Sequence, residues 1–574
     1  MIHEETQRHT KKNAPAFSRW LDDFFAEYYR QRPVNATFIG VHEYDEQWPD
    51  CSDAGLAAKV AGMQALLDRL HALPEEPLTT AQQIDRKLAT GFLRIGLWET
   101  DSAHFERGNP CFYTGEAAFG LLGLLLTDFA PLAERVASLI TRLETLPTFL
   151  AQGQANVHSA PAAWTERAIH ECTGLRRFLT EGIAALVSED AFAQAILNSV
   201  PLHRAAATAL NGVDTFNRYL TEELAQQTHD NVACGAAVLA LLIEEGHFLP
   251  HSADDIVAYA EAERAKAEAY LVEHAPDFGA ATWPEALAQL AELHPTAEGY
   301  YARFDELWQA SRELVAAQGL LTWPDFPIRY EPRPTWARAA APYLYFLFYR
   351  APAAAQRPAV HRYLLAPIED LSPAEQKQFL RGTNDSVIKL NHVVHHGGVG
   401  HHVQNWHTYH AASRIGRMAA VDTASRIAMF CGGTMAEGWS CYTTKLMGEA
   451  GFLTDLEAYG EYQGRMRMCA RAIVDVRLHR GEFTLADAAD YYVNQAGMTP
   501  AAAQGEAVKN SMFPGAALMY LMGTDTVVQL REELRERQGD EFDLRAFHDT
   551  FLSYGSIPVT LIRADMLKEN SNAQ

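Results

Sequence analysis

Seven of the chain's 23 histidines crowd between positions 392 and 410: His392, His395, His396, His401, His402, His407 and His410. An even spread would leave about one in such a window. Imidazole is the commonest protein ligand for zinc, and its neutral form suits iron, copper and nickel as well. The centre of the cluster reads His395-His396-Gly397-Gly398-Val399-Gly400-His401-His402-Val403-Gln404. On an undistorted helix His395 and His401 stand about 120° out of register, whereas His395 and His402 differ by only about 20°. Each glycine costs about 1 kcal/mol relative to alanine inside a helix. The glycines at 397, 398 and 400 therefore predict a bulge or break, which would bring His401 round. Spacing leaves His401 and His402 in competition as the partner of His395. The bland reading, histidines that are solvated or packed in a core, fits any one of them better than it fits the cluster.

A carboxylate is the natural third ligand, because three protein ligands leave one coordination position for water. Glu437 is the candidate, within Cys431-Gly-Gly-Thr434-Met-Ala-Glu437-Gly-Trp439-Ser-Cys-Tyr442. The same residue closes a Thr434-x-x-Glu437 capping-box pattern, so it stands divided between a ligand and a helix cap. A zincin helix carries a Glu between its two histidines to activate water. Here the position after His395 holds His396, an imidazole able to act as general base or to join the metal.

The elements that must position these residues read mostly as helices. Residues 17–29 carry Trp20, Phe24, Phe25 and Tyr28 at helical spacing, and segments around 56–70, 132–152, 200–225, 252–273 and 296–317 repeat an apolar stripe with a charged reverse face. Asp385 or Ser386 caps the helix leading into the histidines, with Val387, Leu390 and Val394 as its buried stripe. Prolines interrupt helix over 319–366, where 328–331, 343–349 and 361–365 read as short strands of a small sheet. The expected fold is mainly α with that small β-sheet, in two parts: an N-terminal helical lobe over 1–318, and the sheet with a helical metal-site lobe over 319–574.

Hydrophobic residues make up 48% and charged residues 21% of the 574 positions, which is globular composition. A net charge of -24, from 72 acids against 48 bases, repels nucleic acid and acidic membranes. The first residues carry no apolar leader and no stretch approaches a membrane span, so a cytoplasmic location is expected. Seven scattered cysteines without a C-x-x-C pair fit buried free thiols rather than a zinc-thiolate cluster. There is no Walker loop, G-x-G-x-x-G or G-x-S-x-G, which leaves ATP, dinucleotide and serine-hydrolase chemistry without support. The partner expected is a peptide or small-molecule substrate.

The chain also resembles a known group. HHGGVGHHVQ is similar to the H-E-x-x-P-G-H-H-x-Q signature of the bacterial domain-of-unknown-function family numbered 885, a group regarded as metallopeptidase-like, and EGWSCY resembles its E-G-W-x-x-Y. Arg471, Asp475 and His479 resemble its R-x-x-x-D-x-x-x-H segment. Pro514-Gly515 with Tyr520 and Gly523 resembles P-G-x-x-x-x-Y-x-x-G, and Phe547-His548 with Gly555 resembles F-H-x-x-x-x-x-x-G. The resemblance covers nearly the whole chain, beginning near Pro33. It implies a zinc-peptidase-like helical architecture with the short sheet beside the metal helix, and ligands at His395, His401 and Glu437. Tyr520 and His548 would be transition-state or substrate contacts, unless they are tied into packing. The chain departs from the pattern at His396 in place of Glu, Val399 in place of Pro, and Thr444 where an acid usually follows the E-G-W-x-x-Y tyrosine.

Three functions are therefore expected, the first ahead of two equal alternatives. The first is a zinc-metallopeptidase-like hydrolase of peptides or small amides, with His396 or a neighbour replacing the Glu as base. The second is a non-haem iron or copper oxidoreductase using the two histidines and one carboxylate. The third is a noncatalytic peptidase-like binding protein.

Overall fold

A computed structural model describes residues 15–74, 77–189, 200–344, 354–418 and 432–572. The protein is mainly α, and its described strands form two two-stranded sheets. No helix among the described residues is long and apolar enough to cross a membrane. Six cysteines, Cys51, Cys111, Cys172, Cys234, Cys441 and Cys469, are free thiols as expected, and Cys431 lies outside the described residues.

The chain divides into two compact units, one running to Thr228 with Ser413–Ile415 and the other beginning at His229. In the first, α1 (Ala16–Gln31) buries Phe17, Trp20, Leu21 and Phe24, the stripe its helical spacing predicts. The Trp20 ring stacks between Phe17 and Phe24, and its indole N–H donates to Leu66 O at 2.9 Å. Helices α2 (Leu132–Asn156) and α3 (Val200–Glu222) approach at Pro147 and Gly212, where a Cβ on the glycine would lie 2.9 Å from the proline.

The second unit contains α4 (Ala253–His274) and α5 (Tyr300–Gln318), then β1 (Ile328–Pro332) and β2 (His361–Leu365). There follow α6 (Val387–Gly397), α7 (His401–Thr408), α8 (Gly433–Glu449), α9 (Asp455–His479), α10 (Pro500–Met512), α11 (Leu518–Gln538) and α12 (Leu544–Ser553). The boundary between units thus lies near 228 rather than at 319. The reason is packing. Tyr300, Phe304 and Trp308 of α5 share one core with Tyr330, Tyr363 and Ile388, and Ile256 and Ala260 of α4 share another with Ala472 and Val476 of α9. The proline-rich stretch after 319 marks a change of secondary structure within that core.

Strands β1 and β2 pair in parallel, Ile328 opposite His361 and Pro332 opposite Leu365. The third expected strand, 343–349, is corrected at its start: Tyr343 closes a 3-10 turn, Ala341–Tyr343, in which Pro342 offers no N–H to a ladder. Residues 345–349 lie outside the described residues.

Helix α6 is π-helical throughout: Val394 is buried as expected, but Ile388 and Val393 join it in place of Val387 and Leu390, which are only half-buried. Its cap comes one residue earlier than expected: Asn384 Oδ1 accepts the Val387 N–H at 3.1 Å, while Asp385 forks onto Arg303 of α5. Tyr363 Oη meets His392 Nδ1 at 2.7 Å, which ties the small sheet to this helix and accounts structurally for His392.

Candidate metal centre

After Gly397 the chain doubles back before starting α7. The Gly400 N–H donates to Val394 O at 2.9 Å, and a Cβ at Gly400 would run into the carbonyl of His395. Two buried indoles satisfy the carbonyls exposed by the break: Trp308 Nε1–H donates to Gly397 O and Trp439 Nε1–H to Val399 O, both at 3.0 Å. The break carries the His401 ring to 4.8 Å from that of His395, nearly perpendicular to it. His402, the partner an unbroken helix would favour, points elsewhere. Its Nε2–H donates to Phe326 O at 2.6 Å and its ring stacks on Phe326.

Glu437 sits in the first turn of α8, yet it does not close a capping box. Thr434 Oγ1 instead accepts the N–H of Val559 at 3.2 Å. The Glu437 carboxylate turns inward, with Oε2 3.3 Å from His395 Nε2 and Oε1 3.8 Å from His401 Nε2. It is buried, and Oε2 has no hydrogen-bond partner of good geometry. Such an oxygen is costly to bury unless something compensates it. Two imidazole nitrogens beside one buried carboxylate fit a divalent cation of the zinc, iron or copper kind. Ligand atoms of His395, His396 and His401 also gather within 4.8 Å of one another, as do those of His395, Glu437 and Cys441.

Neighbours fix the rings. His401 Nδ1 hydrogen-bonds Ser440 Oγ at 2.9 Å, which leaves Nε2 toward Glu437. His396 Nδ1–H donates to Asn391 O at 2.7 Å and so keeps its lone pair on Nε2. Its ring lies 4.7 Å from His395 and 5.5 Å from His401. Burial, followed by the positive charge of its histidine neighbours, holds the His396 pKa well below the ordinary value, so the ring is neutral. Burial also opposes charge on His395, but the Cys441 thiol and the Glu437 carboxylate outweigh it and push the pKa up to about 10. For Glu437, burial acts upward, and the adjacent His395 with the surrounding positive charge brings the pKa down to about 2.

Helices α8 and α11 cross at Gly438 and Gly523, where a Cβ on either would strike the other helix's backbone. That closeness brings Tyr520 near Glu437. Burial and then the Glu437 charge raise the phenol's pKa, so it stays protonated. Arg471 of α9 lies 4.4 Å over the Tyr520 ring and bonds Glu506 at 2.7 Å. Asp475 accepts the N–H groups of Gly515 and Ala517 at 3.0 and 2.9 Å, fixing the turn before α11. His548 is placed differently from Tyr520. Fully buried, it meets Tyr442 Oη at 2.7 Å and Leu320 O at 2.6 Å, so both ring nitrogens are spent on packing behind α8.

Two groups escaped sequence reasoning. Thr444 stands where the family pattern has an acid, and Glu461 of α9 hydrogen-bonds it from the neighbouring helix, with burial raising the carboxyl's pKa. Arg467 lies nearby on the same helix, its charge felt by Glu461. Neither belongs to a local motif; the packing of α9 beside α8 was the only signal, and spacing along one chain does not carry it.

Two solved structures share this fold. A chain from Shewanella oneidensis, provisionally described as a lipoprotein of unknown function, matches with a TM-score of 0.74 at 20% identity over 96% of this chain and 100% of its own. Another from Colwellia psychrerythraea, also provisionally described as a lipoprotein, gives a TM-score of 0.77 at 16% identity over 97% of this chain and 100% of its own. No curated protein matches the chain. A family model described as bacterial protein of unknown function (DUF885) matches residues 33–566, nearly the whole sequence, and the chain belongs to that family.

Proposed function

We propose that the protein is a metal-dependent hydrolase of peptides or small amides, with His395, His401 and Glu437 holding a divalent cation, zinc before iron or copper. One observation carries this reading: the buried Glu437 carboxylate lies 3.3 and 3.8 Å from the Nε2 atoms of two histidines. A cation bound there would polarise a carbonyl as a Lewis acid and acidify water. His396 occupies the place of the zincin glutamate, is neutral, and keeps its lone pair on Nε2. It can take the proton of the attacking water and return it to the leaving amine, a role worth about 10²–10⁴-fold. Tyr520, still protonated, can donate to the oxygen on which negative charge develops. Ser440 Oγ engages Nδ1 of His401 and so holds the ring with Nε2 toward the cation.

Elemental analysis of freshly purified protein beside His395→Ala and Glu437→Ala, together with a panel of amides offered to zinc-loaded protein, tests the reading. A stoichiometric metal lost in both variants, with hydrolysis retained or improved in His396→Glu, supports it. Unchanged metal content in the variants, or no hydrolysis of any amide, overturns it.

The gathering of His395, His396 and His401 nitrogens within 4.8 Å favours a second reading, oxygen-dependent oxidation at iron or copper. Turnover with either metal that stops under anaerobic conditions would establish it. A zinc-only protein indifferent to oxygen would remove it.

A further inference from the structure

Cys441 stands one turn after Glu437 on α8, at a position that the family signature E-G-W-x-x-Y leaves unspecified. Its Sγ lies 4.0 Å from His395 Nδ1, while Nε2 of the same ring lies 3.3 Å from Glu437 Oε2. With one donor atom taken from each side chain, a nitrogen of His395, a carboxylate oxygen of Glu437 and the Cys441 sulfur all fall within 4.8 Å of one another. Bonds of about 2.0–2.3 Å set the donors of a tetrahedral zinc site about 3.5 Å apart, so these three need draw together by only about 1 Å.

Other described thiols are differently employed. Cys111 Sγ–H donates to Trp164 O at 3.2 Å, Cys469 packs in a core with Ile473 and Leu518, and Cys51 and Cys172 are buried. Cys441 is half-buried, and among the described residues it is the one cysteine grouped with two further side chains able to hold a metal.

Charge favours the same arrangement. Glu437 is 7% exposed and its Oε2 has no hydrogen-bond partner of good geometry. Beside neutral imidazoles, one carboxylate leaves a divalent cation with an uncompensated charge in a buried site, whereas a carboxylate and a thiolate together balance it. Thiolate is also a soft donor that suits zinc, the cation placed first above.

We propose that Cys441 Sγ is a ligand of the cation beside His395 and Glu437, giving a centre of mixed nitrogen, oxygen and sulfur. As the sulfur–metal bond forms, the S–H bond breaks and its proton passes to solvent, with no change of oxidation state. With His401 the donors number four, the complement of a closed tetrahedral site, so water or a carbonyl enters as a fifth ligand or by displacing one of them. The sulfur ligand rests on the metal centre proposed above and not on its hydrolytic activity.

X-ray absorption at the zinc edge of zinc-loaded full-length protein reads the donors directly. Wild type is expected to show one sulfur at about 2.3 Å beside nitrogen and oxygen at about 2.0–2.2 Å. Cys441→Ser should lose the sulfur shell yet still hold zinc through the remaining side chains, with circular dichroism unchanged. Its zinc affinity, read by competition with a chelator, should fall by at least the roughly ten-fold that even an outer partner of a ligand is worth. A sulfur shell without hydrolysis of any amide would remove the hydrolase reading and keep Cys441 as a ligand. Wild-type zinc held by nitrogen and oxygen alone would overturn the assignment, whether or not amides are hydrolysed. So would a sulfur shell that survives in Cys441→Ser, an undiminished affinity in that variant, or a wild type that binds no zinc, and only the last would also remove the metal centre.

Discussion

Ser440 Oγ lies 2.9 Å from His401 Nδ1, while Nε2 of the same ring lies 3.8 Å from Glu437 Oε1. One hydroxyl thus engages the nitrogen that faces away from the candidate ligand set. Partners of this kind are worth about 10–100-fold in metal affinity. Ser440→Ala is expected to lower zinc affinity by about that factor, read by competition with a chelator, while circular dichroism stays that of the wild type. Equal affinities would show that Ser440 does not orient the ring.

His395 and His402 offer the sharpest contrast within the cluster. His402 is fully buried, donates to Phe326 O and stacks on the Phe326 ring. Removing it leaves a buried carbonyl unpaired, a cost of about 1–3 kcal/mol. His402→Ala should lower the urea midpoint but keep the metal. His395→Ala should do the reverse, losing the metal while metal-free stability holds. If both variants lose the metal equally, the separation of roles fails.

Much of the candidate site is legible in the sequence alone. His395 and Glu437 follow from residue type, and the three glycines correctly announced a break after His396. What spacing could not settle was the direction of the break. That depended on Trp308 and Trp439, distant in sequence, taking the carbonyls of Gly397 and Val399. The Thr434-x-x-Glu437 pattern pointed locally to a cap, but Val559 claims the threonine and frees the glutamate. The unit boundary was misread for a related reason. Prolines report on backbone conformation, whereas a unit is defined by which side chains share a core, and Phe304 and Trp308 share theirs with strands that follow the prolines.

The crossing of α8 and α11 predicts opposite effects for two glycines of one helix. A Cβ at Gly438 would meet the backbone of Gly523, whereas at Gly448 the nearest atom is Leu453 Cδ2 at 3.7 Å, an ordinary contact. Gly438→Ala should destabilise by about 1–3 kcal/mol through overpacking and weaken metal binding by displacing Glu437. Gly448→Ala should be neutral or stabilise by up to about 1 kcal/mol from helix propensity. Urea titration of both variants reads the difference, and a harmless Gly438→Ala would refute the close crossing.

Acid should destabilise the fold through its buried histidines. His247 is 1% exposed and donates from Nε2 to Gly515 O at 2.7 Å, and burial lowers its pKa from the ordinary 6.5 to about 4. His392, His402 and His548 are lowered by burial in the same way. As pH falls, the unfolded chain protonates these rings near 6.5, while the folded protein resists until near 4. The unfolded state therefore binds more protons in that window. The stabilisation is fully present above pH 6.5 and is lost as pH falls toward 4, at up to about 1.4 kcal/mol per pH unit for each ring. Between pH 7 and pH 5 one such ring accounts for about 2 kcal/mol. His247→Gln keeps a donor for Gly515 O but cannot titrate, so its stability should fall by about 2 kcal/mol less than that of the wild type over this interval. Urea midpoints at the two pH values supply the comparison. Parallel losses in the two proteins would mean that His247 already carries a proton in the folded state, and the assignment of a neutral buried ring at the turn before α11 would have to be abandoned.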